Sequence, residues 1–153
     1  MSENSERSVV VERTGKGTFV ATNGRGESVR FGTVTDAGQD AGFTPIELFL
    51  AAIGGCTAAD VDTATSRHAE PTDFSVAVTG DKISDELGNR LINLTVAFTV
   101  AFPDGDGADR ARTILPRAAK TSHDRLCTVS RTVENGTPVT VTIRLPNGVV
   151  KQR

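Results

Sequence analysis

Between Thr44 and Val61 the chain reads TPIELFLAAIGGCTAADV, and this segment constrains the fold more than any other. Thr44-Pro45-Ile46-Glu47 is a T-x-x-E capping box with proline at the first helical position. The following Ile46, Leu48, Phe49, Leu50, Ala51, Ala52 and Ile53 are apolar around the whole helical circumference. Such a helix has no face to give to water and must be covered on every side. Polar residues return from Asp60, and Pro71 ends the helix near Glu70. The 153 residues suffice for one domain with one core. They leave little material to wrap this helix, so a second copy of the chain is expected to help.

The rest of the chain predicts an α+β fold built on antiparallel strands, in the order βββ–α–ββ–α(α)–β. Ser8–Arg13, Gly17–Thr22 and Ser28–Phe31 read as short strands, with Asn23-Gly24 as a turn signal. A polar, glycine-rich connection runs from Gly32 to Phe43. After the long helix, Phe74–Val78 alternates at period two, and Leu91–Phe102 places Leu94, Val96, Phe98, Val100 and Phe102 on one face. A second helix is expected over Ala108–Thr121, kinked or broken near Leu115 by Pro116. A short helical turn follows over Leu126–Val133, then a last strand through Val139, Val141, Ile143 and Leu145. The expected organisation is a disordered tail over 1–7, one domain over 8–146 and a frayed tail over 147–153.

Composition removes several classes of function. Seventeen basic residues against nineteen acidic leave a net charge of −2, so no excess cation is available for nucleic-acid phosphates. No apolar run reaches the roughly 18–20 residues that span a bilayer, and Met1–Arg7 lacks the apolar stretch of a signal peptide. A cytoplasmic chain with neither nucleic acid nor membrane as partner is expected. Two cysteines are too few for a disulfide scaffold. P-loop, G-x-G-x-x-G, G-x-S-x-G and H-E-x-x-H patterns are absent from the sequence.

The chemistry that remains is thiol chemistry. Cys56 follows Gly54-Gly55, and each glycine inside a helix costs about 1 kcal/mol relative to alanine. A close approach by another backbone or by a substrate beside Cys56 would offset that cost. The plainer alternative is that Cys56 is a small buried hydrophobe. Cys127 lies near the start of a short helix with Arg125 and Arg131 nearby, where helix dipole and positive charge would favour its thiolate. His123 and Cys127, spaced i and i+4, form only a weak metal pattern, and no metal or cofactor is expected. His68 reads as a solvated residue after the long helix. Glu47 has a sufficient role in the capping box, and it lies about 2.5 helical turns from Cys56, on nearly the opposite side. Arg25 reads as an exposed turn residue. Arg30 stands between two apolar residues of a strand, where it either reaches solvent or meets a carboxylate or thiolate.

Thr44–Val61, together with LCTVSRT at Leu126–Thr132, resembles the OsmC/Ohr family of thiol-dependent peroxidases, in its P-x-E-L…GGC branch. The resemblance implies an OsmC-like antiparallel sheet around a long central helix, in an intertwined homodimer with active sites at the interface. It implies that Cys56 attacks an organic hydroperoxide or hydrogen peroxide as a thiolate and becomes a sulfenic acid. Cys127 then resolves it as a disulfide, and a dithiol such as a lipoylated protein reduces the pair. Arg30 resembles the OsmC-type arginine and Arg25 the Ohr-type one, with Arg30 preferred. The family's catalytic glutamate directly follows the proline. Here Ile46 stands there and Glu47 comes one residue later, a rotation of about 100° on a helix. The implied catalytic set is Cys56, Cys127, Arg30 and Glu47, with Phe43, Ile46 and Phe49 lining an apolar peroxide pocket. Two other readings stay open: a non-peroxidase module binding a small apolar ligand at the dimer interface, and a dimer whose thiols are merely packed.

Overall fold

A computed structural model describes residues 5–33 and 42–152, with backbone alone over 149–152. The first four residues of the expected N-terminal tail and residues 34–41 of the expected connection lie outside the described residues. The chain forms two compact units, Met1–Ala52 and Ile53–Arg153. Among the described strands the first three pair with one another, which gives the first unit a sheet of its own.

In the first unit β1 (Val9–Gly15), β2 (Thr18–Asn23) and β3 (Ser28–Gly32) form an antiparallel sheet in that order. The Asn23 side chain accepts from the amides of Arg25 (2.8 Å) and Glu27 (3.1 Å), an Asx turn that joins β2 to β3. Phe19 and Phe31 stack with ring centroids 5.6 Å apart. Phe43 forms a parallel bridge with Phe31, and its carbonyl accepts from the Gly32 amide at 2.9 Å.

Helix α1 (Pro45–Thr65) starts where the capping box predicts. The Thr44 amide and hydroxyl donate to Glu47 Oε2 at 2.7 and 2.9 Å, and the Glu47 amide donates back to Thr44 Oγ1 at 3.3 Å. The helix ends five residues before Glu70. Thr63 and Thr65 bond back to the carbonyls of Ala59 and Val61, and such residues propagate a helix poorly. His68 lies exposed in the turn that follows, as expected.

The second unit opens with β4 (Asp73–Asp85) and β5 (Gly88–Ala101), one long antiparallel hairpin paired from Asp73↔Ala101 to Asp85↔Gly88. β4 runs seven residues beyond the expected Val78. Gly80, Asp81 and Lys82 interrupt the apolar alternation there, so polar cross-strand pairs hold the ladder instead. Thr79 meets Thr95 at 2.6 Å, Asn93 donates to Asp81 at 2.8 Å, and Arg90 pairs with Asp85 at 2.6 Å.

Helix α2 (Asp106–Thr121) passes through Pro116 without the expected break near Leu115. A proline forfeits one backbone bond. Here Ala108, Ala111 and Leu115 pack with Phe102 and Val100, which holds the turn before it. A π-helical turn, Ser122–Leu126, leads to α3 (Thr128–Glu134). β6 (Val141–Leu145) is shorter than expected, leaving Val139 outside it and 83% exposed. β7 (Gly148–Gln152) pairs with β6 where a frayed tail is expected. Asn147-Gly148 is a hairpin signal, and the valines after it favour a strand.

Gly54 and Gly55 separate in role. A Cβ on Gly54 would stand 2.6 Å from Val78 Cγ2, so β4 packs directly on the helix at this position. The group that approaches is a valine side chain, rather than the expected backbone or substrate. A Cβ on Gly55 meets nothing within 4 Å. Buried apolar residues of the helix are Ile53 and Val61, in one stripe with Thr57 and Thr65.

Two outcomes follow. Gly54→Ala overpacks a stiff valine, at about 1–3 kcal/mol, against about 1 kcal/mol of helix propensity gained. Urea unfolding should therefore show a net loss for Gly54→Ala and a gain of up to about 1 kcal/mol for Gly55→Ala. A loss at Gly55 would mean that a partner surface covers it. The Thr44 amide and hydroxyl hold the Glu47 carboxyl below its ordinary 4.5. A lowered folded-state value stabilises above the unfolded value and is lost as pH falls through the folded one. Glu47→Gln should flatten the pH dependence of unfolding in that acid window.

Candidate active site

The site is built by three neighbouring pieces of the second unit: the middle of α1, the π turn and the start of α3. The π turn places Cys127 through a backbone bond from its amide to the Ser122 carbonyl, 2.8 Å and five residues back. Ser122 is fully buried, and its hydroxyl donates to Asp60 Oδ2 on α1 at 2.7 Å. One turn earlier on α1, Thr57 Oγ1 lies 3.5 Å from Cys127 Sγ. These two bridges fasten the segment that carries Cys127 to the stretch of helix that carries Cys56.

Cys127 is fully buried and occupies the N-cap of α3. Its sulfur accepts from the Ser130 amide at 3.4 Å and lies 3.2 Å from Ser130 Oγ, to which the neutral thiol donates. Cys56 is half-buried, and both cysteines are free thiols. Each thiol bears on the other's ionisation, and the Val129 amide favours the Cys56 thiolate. Residues far apart in the sequence are thus neighbours in space.

The surroundings treat the two sulfurs differently. Burial pushes the Cys56 thiol up; the Val129 amide opposes this, while Cys127 and the Asp60 carboxylate add to the rise. For Cys127, burial is again the largest influence and opposes charge. The Ser130 hydroxyl, the Thr57 hydroxyl, the Ser130 amide and the Cys56 thiol together outweigh it, and its pKa is lowered. The direction is the expected one for Cys127. Its leading causes are hydroxyl and amide donors rather than Arg125 and Arg131. Asp60 stands one helical turn after Cys56, on the same face, and disfavours a second negative charge there.

A cavity of about 260 Å³ lies beside this cluster. Ile53, Leu94 and Phe98 supply apolar wall, and Thr57, Ser130 and His123 supply polar groups. Among the described residues no group of three or more His, Cys, Asp or Glu converges as a metal site requires. No helix among them is long and apolar enough to cross a membrane.

The other expected site residues belong to the first unit. Arg30 is exposed in β3 opposite Val20, and among the described residues it makes no ion pair. Arg25 is exposed in the Asx turn. Glu47 has its Oε2 in the capping box. Phe43 is 52% exposed, Ile46 38% exposed, and Phe49 half-buried. Sequence reasoning missed Thr57 and Ser130. A signal existed for each: Thr57 directly follows Cys56, and Ser130 stands at the third helical position, whose amide a capping side chain receives.

A family model described as "OsmC-like protein" matches residues 38–142, well over half of the chain. None of the curated proteins compared matches the chain by sequence. Among solved structures, an OsmC-like protein of unknown function from Vibrio cholerae is similar at a TM-score of 0.68. It is 15% identical, covering 85% of this chain and 94% of that one. An OsmC-like protein from Mycoplasma pneumoniae follows at 0.67, 12% identical, covering 86% and 89%. The organic hydroperoxide resistance protein OhrB of Bacillus subtilis is similar at 0.52, 22% identical, covering 86% and 93%. The likenesses to solved structures speak for a shared fold, the family match covers both cysteine motifs, and the chain belongs to the OsmC-like protein family.

Proposed function

We propose that this protein is a thiol-dependent peroxidase. Cys56 attacks the peroxide, the O–O bond breaks, and Cys56 becomes a sulfenic acid as an alcohol or water leaves. Cys127 condenses with it, forming a Cys56–Cys127 disulfide and releasing water, and a dithiol of lipoyl type then reduces the disulfide. The observation that carries this reading is the pair itself: a half-buried thiol beside a fully buried one, each felt in the other's ionisation. The accessible sulfur can meet a substrate, and the buried one lies beside it to resolve the product.

In the same reading Arg30 is the arginine that pairs with a thiolate, and Glu47 serves the helix cap. Phe43, Ile46 and Phe49 line the place of the peroxide's organic part. We assign the working form to an intertwined homodimer. Val9, Val10 and Val11 of β1 are each more than half exposed, and Leu145 of β6 is 57% exposed. Ile46, Ala51 and Ala52 of α1 are also exposed. Apolar strands and an apolar helix left open in one copy are surfaces that a second copy covers. Free thiols of this kind act in a reducing compartment, so we place the protein in the cytoplasm.

The cavity beside Thr57 and Ser130 favours a second reading, a module that holds a small apolar ligand, and native mass spectrometry of the purified protein would detect such a ligand. For the peroxidase reading, one equivalent of an organic hydroperoxide should consume both thiols and yield the intramolecular disulfide. Cys56→Ser should lose turnover by at least about a thousandfold, since it removes the nucleophile. Cys127→Ser should stop at a sulfenic acid that dimedone captures. Thiols that stay reduced under excess hydroperoxide would overturn it.

A further inference from the structure

We propose that the cavity beside Thr57 and Ser130 is a binding site for a small aliphatic alcohol, and that it takes the alcohol more tightly once Cys127 has lost its thiol hydrogen to a disulfide. The inference rests on the peroxidase reading for the source of the disulfide and of the alcohol, which is what an organic hydroperoxide becomes when its O–O bond is reduced.

The cavity lies wholly within the second unit and has a volume of about 260 Å³. Ile53, Leu94, Val96, Phe98 and Val133 give it a broad apolar wall. An apolar cavity of about 150 Å³ accepts a benzene-sized molecule, so this one has room for an alkyl group of roughly six carbons with a polar head. Its buried polar side chains are two hydroxyls, Thr57 at 4% exposure and Ser130 at 8%. His123 and Glu134, also in the wall, are exposed, so water screens whatever charge they carry. A neutral head suits the buried hydroxyls, whereas a carboxylate there would give up its hydration with no buried cation to replace it.

The two hydroxyls stand differently. Thr57 gives its hydrogen to the Ile53 carbonyl at 3.1 Å or to Cys127 Sγ at 3.5 Å, and among the described residues no group donates to Thr57 Oγ1 in return. A buried hydroxyl oxygen with open lone pairs, in the wall of a cavity, is an acceptor for an alcohol O–H. Ser130 Oγ is occupied in the reduced protein, where the Cys127 thiol donates to it at 3.2 Å. A disulfide sulfur carries no hydrogen, so oxidation of Cys127 removes that donor. The Ser130 amide, 3.4 Å from Cys127 Sγ, keeps its acceptor because the sulfur retains its lone pairs. Oxidation therefore leaves the Ser130 oxygen as a second buried acceptor in the wall of the same cavity, and a buried acceptor without a donor is costly. An alcohol supplies the missing hydrogen; an ether of the same size does not.

Linkage between binding and oxidation is reciprocal. An alcohol that prefers the oxidised protein makes the disulfide harder to reduce by the same factor. The alcohol released from one turnover thus restrains the reductive step of the next.

Hexanol and methyl pentyl ether, isomers of which only the first has a hydroxyl hydrogen, test the site. The methyl NMR signals of Ile53, Leu94, Val96 and Val133 should move on adding either one. Oxidation of the thiols with diamide should tighten hexanol about threefold to tenfold, the worth of one neutral hydrogen bond, and leave the ether unchanged. Cys127→Ala removes the thiol hydrogen without oxidation, and in it the hexanol-to-ether affinity ratio should rise by a similar factor. Ser130→Ala should make hexanol binding insensitive to diamide, and Cys127→Ala keeps the test open if Ser130→Ala does not fold. In a glutathione redox titration of the native chain, saturating hexanol should shift the balance toward the disulfide by the same factor as diamide tightens hexanol. Methyl signals at the cavity that do not move, or a hexanol-to-ether ratio equal in reduced, oxidised and Cys127→Ala protein, would overturn the inference. A raised ratio in Cys127→Ala, with native thiols that excess hydroperoxide leaves reduced, would keep the alcohol site and remove the peroxidase reading instead.

Discussion

The arrangement of this site depends on two side-chain bridges from α1 to the segment that follows α2. Asp60 receives the hydroxyl of buried Ser122, and Thr57 meets Cys127. Among the described hydrogen bonds, these are the ones that tie the segment carrying Cys127 to the stretch of helix carrying Cys56. Buried polar groups of this kind are costly when unpaired and specific when paired, because each accepts only one geometry. Among the described residues the Ser122 hydroxyl is seated on Asp60, so the carboxylate both locates the turn and places a negative charge one helical turn from Cys56.

The stretch of α1 around Cys56 does several things at once. Ile53, Thr57, Val61 and Thr65 form the buried stripe, and Gly54 admits Val78 at a distance no side chain would allow. Cys56 stands beside that stripe, half-buried. Its exposure is thus set by the packing of its neighbours: the helix is seated deeply at Gly54, and the next residues are brought only partly under cover. Packing sets accessibility, and accessibility decides which sulfur a substrate can reach.

Environment then makes chemically equal residues unequal. Both cysteines meet an unfavourable burial effect. Cys127 has donors on several sides, whereas Cys56 has one amide and a nearby carboxylate. A thiolate is a nucleophile only where charge is tolerated, and a proton passes most easily between groups already hydrogen-bonded. A half-buried thiol beside a fully buried one suits a two-step thiol oxidation in which the accessible sulfur meets the oxidant and the buried one closes the disulfide.

Much of this was legible in the amino-acid sequence. The T-P-I-E box located the start of α1, because capping is local and its donors and acceptors lie within four residues. Period-two alternation marked the cores of β4 and β5 but not the polar reach of β4 to Asp85, since cross-strand pairs there replace apolar burial. The two cysteine motifs carried the family, and with it the expectation of a redox pair. What the sequence could not decide is which side chains surround each sulfur. Ser130 reaches Cys127 within the cap of α3, but Thr57 meets Cys127 only when the π turn brings that cap to α1. Local hydrogen bonds and hydrophobic period are properties of neighbouring residues; the charge preference of a thiol belongs to whatever distant groups the fold places around it, and only the tertiary structure decides those.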